Sequence, residues 1–258
     1  MESPLLQIDR LSKSYPSRRG TIQAIDDVTF HVGRGEFVSV VGPSGCGKTT
    51  LLMGIAGLRS LTGGDVRLHG QTIVEPPEGM AVVFQDYSRS LFPWLTVASN
   101  VGLPLRGRGM PRAKITETIE RSLHAVGLHG VAELHPWQLS GGMQQRVAIA
   151  RGLAQNPEIL LMDEPFASVD AQTRANLEDL LLDVWSDYGM TVLFVTHDID
   201  EAVYLADRVV VLTASPARVD QIIGVDLPRP RHQLATKARP EFARLRARVF
   251  ELVMGSAR

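Results

Sequence analysis

Apolar and polar positions follow three successive patterns along the chain. Between residues 5 and 40, short apolar runs at 6–8, 22–25, 28–32 and 37–41 alternate with turn residues, and a tight turn at 33–36 separates the last two. This predicts a β-rich beginning. His69-Gly70 continues it as a hairpin turn between strands at 65–68 and 71–74. Between these β segments, Gly47 opens a helix predicted to run to about Gly57. From about Leu95 to Ala154 the spacing becomes helical, and 111–126 is an amphipathic stretch that stops at Gly127. The last pattern alternates again: strand 159–162, helix 171–188, strand 191–195, helix 199–206, strand 208–212. Alternation of that kind builds a parallel sheet, so the helical stretch reads as an insertion between two halves of one α/β core. The chain has no internal repeat and no low-complexity segment.

Composition narrows the possibilities. With 258 residues and 44% apolar content, the chain can bury one large core or two unequal ones. No apolar run approaches the roughly 18 residues of a spanning helix, so any membrane contact is expected to come through a partner. The start, Met-Glu-Ser-Pro, has no basic region followed by an apolar stretch, which argues against a secretory leader. Cys46 is the single cysteine, excluding an internal disulfide and suiting a reducing compartment. A net charge of −1 argues against a general nucleic-acid footprint. The charge is nevertheless uneven, for the tail at 228–258 holds eight Lys/Arg and two Asp/Glu. Two readings stay open there. One is contact with anionic headgroups or an acidic partner; the other is a terminal helix packing Phe242, Leu245, Val249 and Leu252 inward with Arg244, Arg246 and Arg248 in solvent.

Three segments carry chemistry. Gly42, Pro43, Ser44, Gly45, Cys46, Gly47, Lys48, Thr49 and the following Thr50 lie between an apolar strand and a helix, matching the G-x-x-x-x-G-K-[ST] phosphate loop. Glycines there let backbone N–H groups face phosphates, and the helix start adds its positive end. Lys48 supplies a point charge for β/γ oxygens, and the Thr49 hydroxyl is placed to ligate Mg²⁺. Cys46, just before the helix, is expected to favour the thiolate and to react with a bulky thiol reagent. Two carboxylates, Asp163 and Glu164, then end the strand at 159–162, where parallel sheets bind ligands. Finally, Ser140 is the expected N-cap of a helix at 143–153, and Gly141 and Gly142 make its acid-free start an anion site.

The string Leu-Ser-Gly-Gly-Met-Gln-Gln-Arg at 139–146, lying between the phosphate loop and Leu-Leu-Met-Asp-Glu-Pro at 160–165, resembles the ATP-binding subunit of an ABC transporter. The resemblance runs from about Leu5 to about Leu227. It implies an α/β fold: a P-loop ATPase core with an antiparallel β subdomain (core at 1–86 and 156–227), an inserted α-helical subdomain at about 87–155, and a basic tail or helix at 228–258. By resemblance Asp163 holds Mg²⁺, Glu164 orients and deprotonates the attacking water, and Gln85 reaches Mg²⁺ or that water. His197 resembles the histidine that hydrogen-bonds the γ-phosphate, with Asp198 and Glu201 forming a capping-box pattern behind it. Tyr15 resembles the aromatic that stacks on adenine. Ser140 and Gly142 would complete the site of a second subunit. Asp170 fits the loop that follows the catalytic carboxylates, although Ala167, Ser168 and Val169 depart from the common Ser-Ala-Leu.

Cofactors implied are ATP and Mg²⁺. The implied partners are a transmembrane permease, a second copy or homologous ATPase subunit arranged head to tail, and indirectly an extracytoplasmic substrate-binding protein. The expected location is the cytoplasmic face of the membrane. Leu-Phe-Pro-Trp-Leu-Thr-Val at 91–97 and Asp-Leu-Pro-Arg-Pro-Arg at 226–231 are similar to the nitrate/sulfonate/taurine importer subfamily. Two alternatives remain: an exporter ATPase, or a soluble ABC ATPase acting on ribosomes or DNA. The apolar cluster Phe92, Trp94 and Leu95 has two possible burial sites, the subunit's own core or a groove that receives a permease helix.

Overall fold

The computed structural model describes residues 3–17, 20–86 and 90–255. Met1 and Glu2, the first residues of the segment read for a leader, lie outside the described residues, as do the last three of the basic tail. The chain divides into two compact units, Met1–Glu78 with Met190–Arg258, and Gly79–Gly189.

In the first unit, β1 (Leu6–Ser17) pairs antiparallel with β2 (Gly20–Val32) and with β4 (Gly63–Leu68), and β5 (Gln71–Thr72) pairs antiparallel with β4. Leu6, Ile8 and Leu11 face Val28, Phe30 and Val32 in one buried layer. The runs predicted separately at 22–25 and 28–32 belong to a single strand. Register slips between Ile8 and Leu11 and between Leu11 and Lys13, together with φ 57° at Asp27, reset the two-residue period without ending the pairing. His69 and Gly70 both have positive φ, as the two-residue hairpin turn requires.

β3 (Phe37–Val41) is buried throughout and has parallel neighbours on both sides, β8 (Thr191–Val195) and β9 (Arg208–Leu212). Burial on both faces explains why these strands read as continuous apolar runs. β10 (Val219–Gly224) pairs antiparallel with β9 and was not expected. Among its residues Ile223 is buried while its neighbours stay polar or open, so it carries little apolar pattern. Helices α1 (Lys48–Ile55) and, further on, α6 (Ile199–Leu205) follow β3 and β8. Glu36 ties the turn before β3 to β9: its carboxylate accepts from the Gly33 N–H at 2.8 Å and from the Arg208 guanidinium. Burial alone would raise the Glu36 carboxyl, but Arg208 and the Gly33 N–H outweigh it and hold the group below its ordinary value.

The tail folds onto the same unit as α7 (Gln233–Lys237) and α8 (Pro240–Gly255). Phe242 and Val249 of α8 are buried, and Leu245 and Leu252 half-buried, against α6, β9 and β10. Much of the positive charge is engaged locally. Arg246 pairs with Asp200 at 2.6 Å, Arg248 donates to Gln221 Oε1 at 3.0 Å, and Arg229 pairs with Asp207 at 2.8 Å. Arg231 is buried and donates to the carbonyls of Tyr204 and Ala206 at 2.7 and 2.8 Å. Burial, helped by the Arg229 charge, pulls its guanidinium down to about 10, still cationic at neutral pH. The tail therefore packs as a structural element of its own unit.

In the second unit β6 (Met80–Val83) and β7 (Ile159–Asp163) form a parallel pair. The same unit holds α2 (Val97–Val101), α3 (Arg112–Ala125), α4 (Gly141–Leu153) and α5 (Ala171–Tyr188). α4 packs on β6, α2 and α3, so the helical stretch is anchored through α4. No helix among the described residues is long and apolar enough to cross a membrane.

Candidate functional site

β3 delivers the chain directly into the loop at 42–49, and α1 begins at Lys48. Gly45 (φ 74°) and Gly47 (φ 111°) take left-handed conformations there. At Gly47 a Cβ would also lie 3.2 Å from the Ala24 carbonyl, so the turn into the helix requires glycine. Gly42 is closely packed, its missing Cβ falling 3.1 Å from Cys46 Sγ and from the Leu212 carbonyl. Lys48 is buried, and its Nζ donates to the carbonyls of Gly42 (2.9 Å) and Pro43 (3.1 Å). Ser44, Gly45 and Thr49 are exposed, with Pro43, Gly47 and Thr50 partly so.

The expectation of a reactive Cys46 is corrected. The residue is 2% exposed, its sulfur packed against Gly42 beneath the loop. A bulky maleimide should therefore label Cys46 roughly a hundredfold more slowly in the native fold than in urea. Native labelling as fast as in urea would contradict the burial.

Tyr15 lies on β1 beside two cations. Its hydroxyl accepts from Arg59 Nη1 at 2.6 Å, and Lys13 Nζ and the Arg59 guanidinium sit 5.2 and 5.7 Å from the ring centre. The little burial it has works to raise the phenol, but hydrogen bonds to Thr50 and Arg59 and the two positive charges bring it below the ordinary value. Tyr15 is thus linked through Thr50 to the end of the phosphate loop.

In the second unit the strand β7 places Asp163 at its last position, 3% exposed, with Glu164 next. Glu164 has φ 42°, a left-handed conformation that costs a non-glycine residue on the order of 1 kcal/mol or more. That backbone turns the carboxylate out of the strand's alternation. Glu164 Oε2 accepts a hydrogen bond from Gln85 Nε2 at 3.2 Å, so two of the residues singled out in the sequence meet across 79 positions.

Ser140 is the N-cap of α4, its Oγ accepting the Met143 N–H at 3.3 Å, and the first turn holds no acidic residue. The helix starts two residues earlier than expected, at Gly141. Gly142 also has a local role: a Cβ there would meet the Thr173 methyl at 2.6 Å. Asp170 caps α5, accepting the N–H groups of Gln172 and Thr173 at 3.1 and 3.0 Å. Those bonds, with the Thr173 hydroxyl first, keep its carboxyl below the ordinary range. In the first unit His197 is exposed in the turn between β8 and α6.

A cavity of about 630 Å³ is lined by Phe84, Asp86, Ser90, Leu103, Arg151 and Gln155, among others. Arg151, near the end of α4, donates to the Ser90 carbonyl at 2.6 Å, and its burial lowers the guanidinium. Trp94 is 71% exposed and packs against Phe92 with ring centres 5.2 Å apart, which excludes the core as its burial site. Pattern reading had no means of finding Asn100. Fully buried, it accepts the Phe92 N–H at 2.8 Å and donates to the carbonyls of Phe92, Leu95 and Thr96 at 3.1 to 3.2 Å. The loop bearing Phe92 and Trp94 is therefore held in one shape.

A family model described as ABC transporter matches residues 25–167. The chain is 39% identical over 246 residues to the aliphatic sulfonates import ATP-binding protein of Bacillus cereus, covering 95% of this chain and 94% of that one. It is 44% identical over 247 residues to the nitrate import ATP-binding protein NrtC of Synechocystis, spanning 94% of this chain but 37% of that longer protein. Among solved structures, it is similar to a dimeric post-hydrolysis ATP-binding cassette bound to ADP and Pi, with TM-score 0.75 and 34% identity over 85% of this chain and 98% of that one. Fold, motifs and relatives agree: the chain belongs to the ABC transporter ATP-binding family and is an ATP-binding, ATP-hydrolysing cassette.

Proposed function

We propose that this cassette powers the import of a small anion through a membrane permease, working at the cytoplasmic face as a head-to-tail dimer. The observation that carries the coupling is the segment 84–86. Phe84 and Asp86 line the 630 Å³ cavity, and Gln85 between them is hydrogen-bonded to Glu164. An element seated in that cavity would press on the backbone that holds an amide on the hydrolytic carboxylate. The sulfonate and nitrate import relatives support the direction of transport and the class of cargo. In this reading a substrate-binding protein delivers the cargo on the far side.

The N–H groups of Gly45, Cys46, Gly47 and Lys48 would hold the phosphates, and Lys48 Nζ would leave its carbonyls for the β/γ oxygens. Thr49, Asp163 and Gln85 offer a hydroxyl, a carboxylate and an amide oxygen, an all-oxygen donor set that suits Mg²⁺. When bound, that ion neutralises charge on the phosphate oxygens. Glu164 orients the attacking water and accepts its proton, Gln85 fixes the carboxylate, and His197 donates to the γ-phosphate. Tyr15 stacks on adenine. The start of α4 at Ser140, Gly141 and Gly142 presents N–H groups to the nucleotide of the second copy, with Asp170 at the same interface.

Replacing Trp94 separates this reading from a purely structural one. Trp94→Ala should leave the isolated subunit folded with unchanged basal ATPase, because the side chain is exposed and Asn100 holds the loop. Assembly with the permease in detergent, followed by co-purification, should weaken roughly thirtyfold, the loss typical of an interface tryptophan. Assembly and transport at the level of the parent protein would place the docking surface elsewhere.

A further inference from the structure

We infer that Thr196 and Glu201 are positioning residues for His197, acting through one buried hydroxyl that grips the chain on both sides of the imidazole. The inference rests on the reading of His197 as the residue that meets the γ-phosphate.

The sequence pattern predicts a capping box in which the Glu201 carboxylate serves the start of α6. Part of it is present, since Asp198 Oδ1 accepts the N–H groups of Asp200 at 2.9 Å and Glu201 at 3.2 Å. The Glu201 carboxylate, however, is 3% exposed, and its Oε2 accepts the Thr196 hydroxyl at 2.6 Å. The same Thr196 Oγ1 accepts the Asp198 N–H at 3.0 Å. The residues before and after His197 thus share a single oxygen. Thr196 is itself 1% exposed, and its N–H donates at 3.1 Å to the carbonyl of Val40, one residue from the end of the strand that enters the phosphate loop.

An exposed glutamate at this position would cap the helix equally well. Burying a carboxylate is costly unless its oxygens are bonded, and the Thr196 hydroxyl bonds one of them. What it achieves is registration. The peptide units flanking His197 are fixed to β3 through Val40 and to α6 through Glu201, while the imidazole between them stays exposed. A side chain that must reach one phosphate oxygen gains from such fixing, for a displacement near 1 Å can cost on the order of a hundredfold in rate.

Thr196→Val removes the hydroxyl at nearly constant shape, and Thr196→Ser restores it. Steady-state ATPase well below the melting temperature should show kcat reduced roughly 10- to 100-fold in the valine variant, with KM for ATP within about threefold. The serine variant should recover to within about threefold of the parent. In a His197→Ala background Thr196→Val should change kcat no further, because the group it positions is gone. A valine variant with parental kcat, or serine and valine variants equally impaired, would overturn the inference, since a merely structural hydroxyl changes melting and not turnover. Should the valine variant fail to fold, Glu201→Gln decides by the same measurement: kcat loss at constant KM supports positioning, and parental kcat refutes it. His197→Ala also separates the two levels. If it hydrolyses ATP at the parental rate the reading of His197 itself fails, whereas its inactivity beside a fully active Thr196→Val defeats only the clamp.

Discussion

Glu164→Gln should lower ATP hydrolysis by roughly two to four orders of magnitude while leaving nucleotide binding intact. The substitution is close to isosteric, and its amide oxygen can still accept the 3.2 Å hydrogen bond from Gln85, so the local structure should survive. What is lost is the ability to take a proton from water. The left-handed backbone at Glu164 supports a chemical role, because such strain persists only where the surroundings impose it. Stalled hydrolysis should also trap the ATP-bound dimer, so gel filtration with MgATP should move the variant, and not the parent, to twice the mass. A hydrolysis rate within a few-fold of the parent would remove Glu164 from the proton-transfer role. Loss of nucleotide binding would show instead that the substitution had disturbed β7.

Several elements were legible in the sequence for a physical reason. β3, β8 and β9 are buried almost throughout, which makes them nearly continuous apolar runs, and their bounds coincide with the predicted ones. Helix α5 was bounded by Asp170, whose carboxylate caps it, and by Gly189 at φ 57°. The phosphate loop and the Ser140 cap of α4 were visible because their spacing is local. Long-range polar pairing was not visible: nothing in the sequence places Gln85 on Glu164, or Asn100 under the Phe92 loop. Cys46 shows the opposite failure. Its place before a helix suggested reactivity, but side-chain direction within the loop decides exposure, and that direction is inward.

The segment Asp-Leu-Pro-Arg-Pro-Arg at 226–231 supported only a resemblance in the sequence, and the structure supplies its physical content. Helix α6 ends with carbonyls that have no intrahelical donor, and its macrodipole concentrates negative charge there. Three successive carbonyls, of Tyr204, Leu205 and Ala206, are met by two guanidinium groups: Arg231 takes the first and third at 2.7 and 2.8 Å, and Arg229 takes the second at 2.9 Å. Arg231 is the buried one of the pair, so its removal leaves desolvated carbonyls and a void together. Arg231→Ala should destabilise the fold by about 3–6 kcal/mol, at roughly 1.5–3 kcal/mol for each of the two hydrogen bonds from a charged donor. For a chain of this size that corresponds to a fall in melting temperature of about 10 °C. Arg231→Lys should recover less than half, because a single ammonium on a shorter stem does not reproduce the planar fork. Arg231→Met fills the volume without the bonds, so a melting temperature close to that of Arg231→Ala assigns the loss to the carbonyls, and one close to the parent assigns it to packing. Because the grip lies at the end of α6 remote from His197, ATP turnover by the folded variant, assayed well below its melting temperature, should stay within a few-fold of the parent. A melting temperature unchanged by Arg231→Ala would mean that water satisfies these carbonyls as well as the guanidinium does.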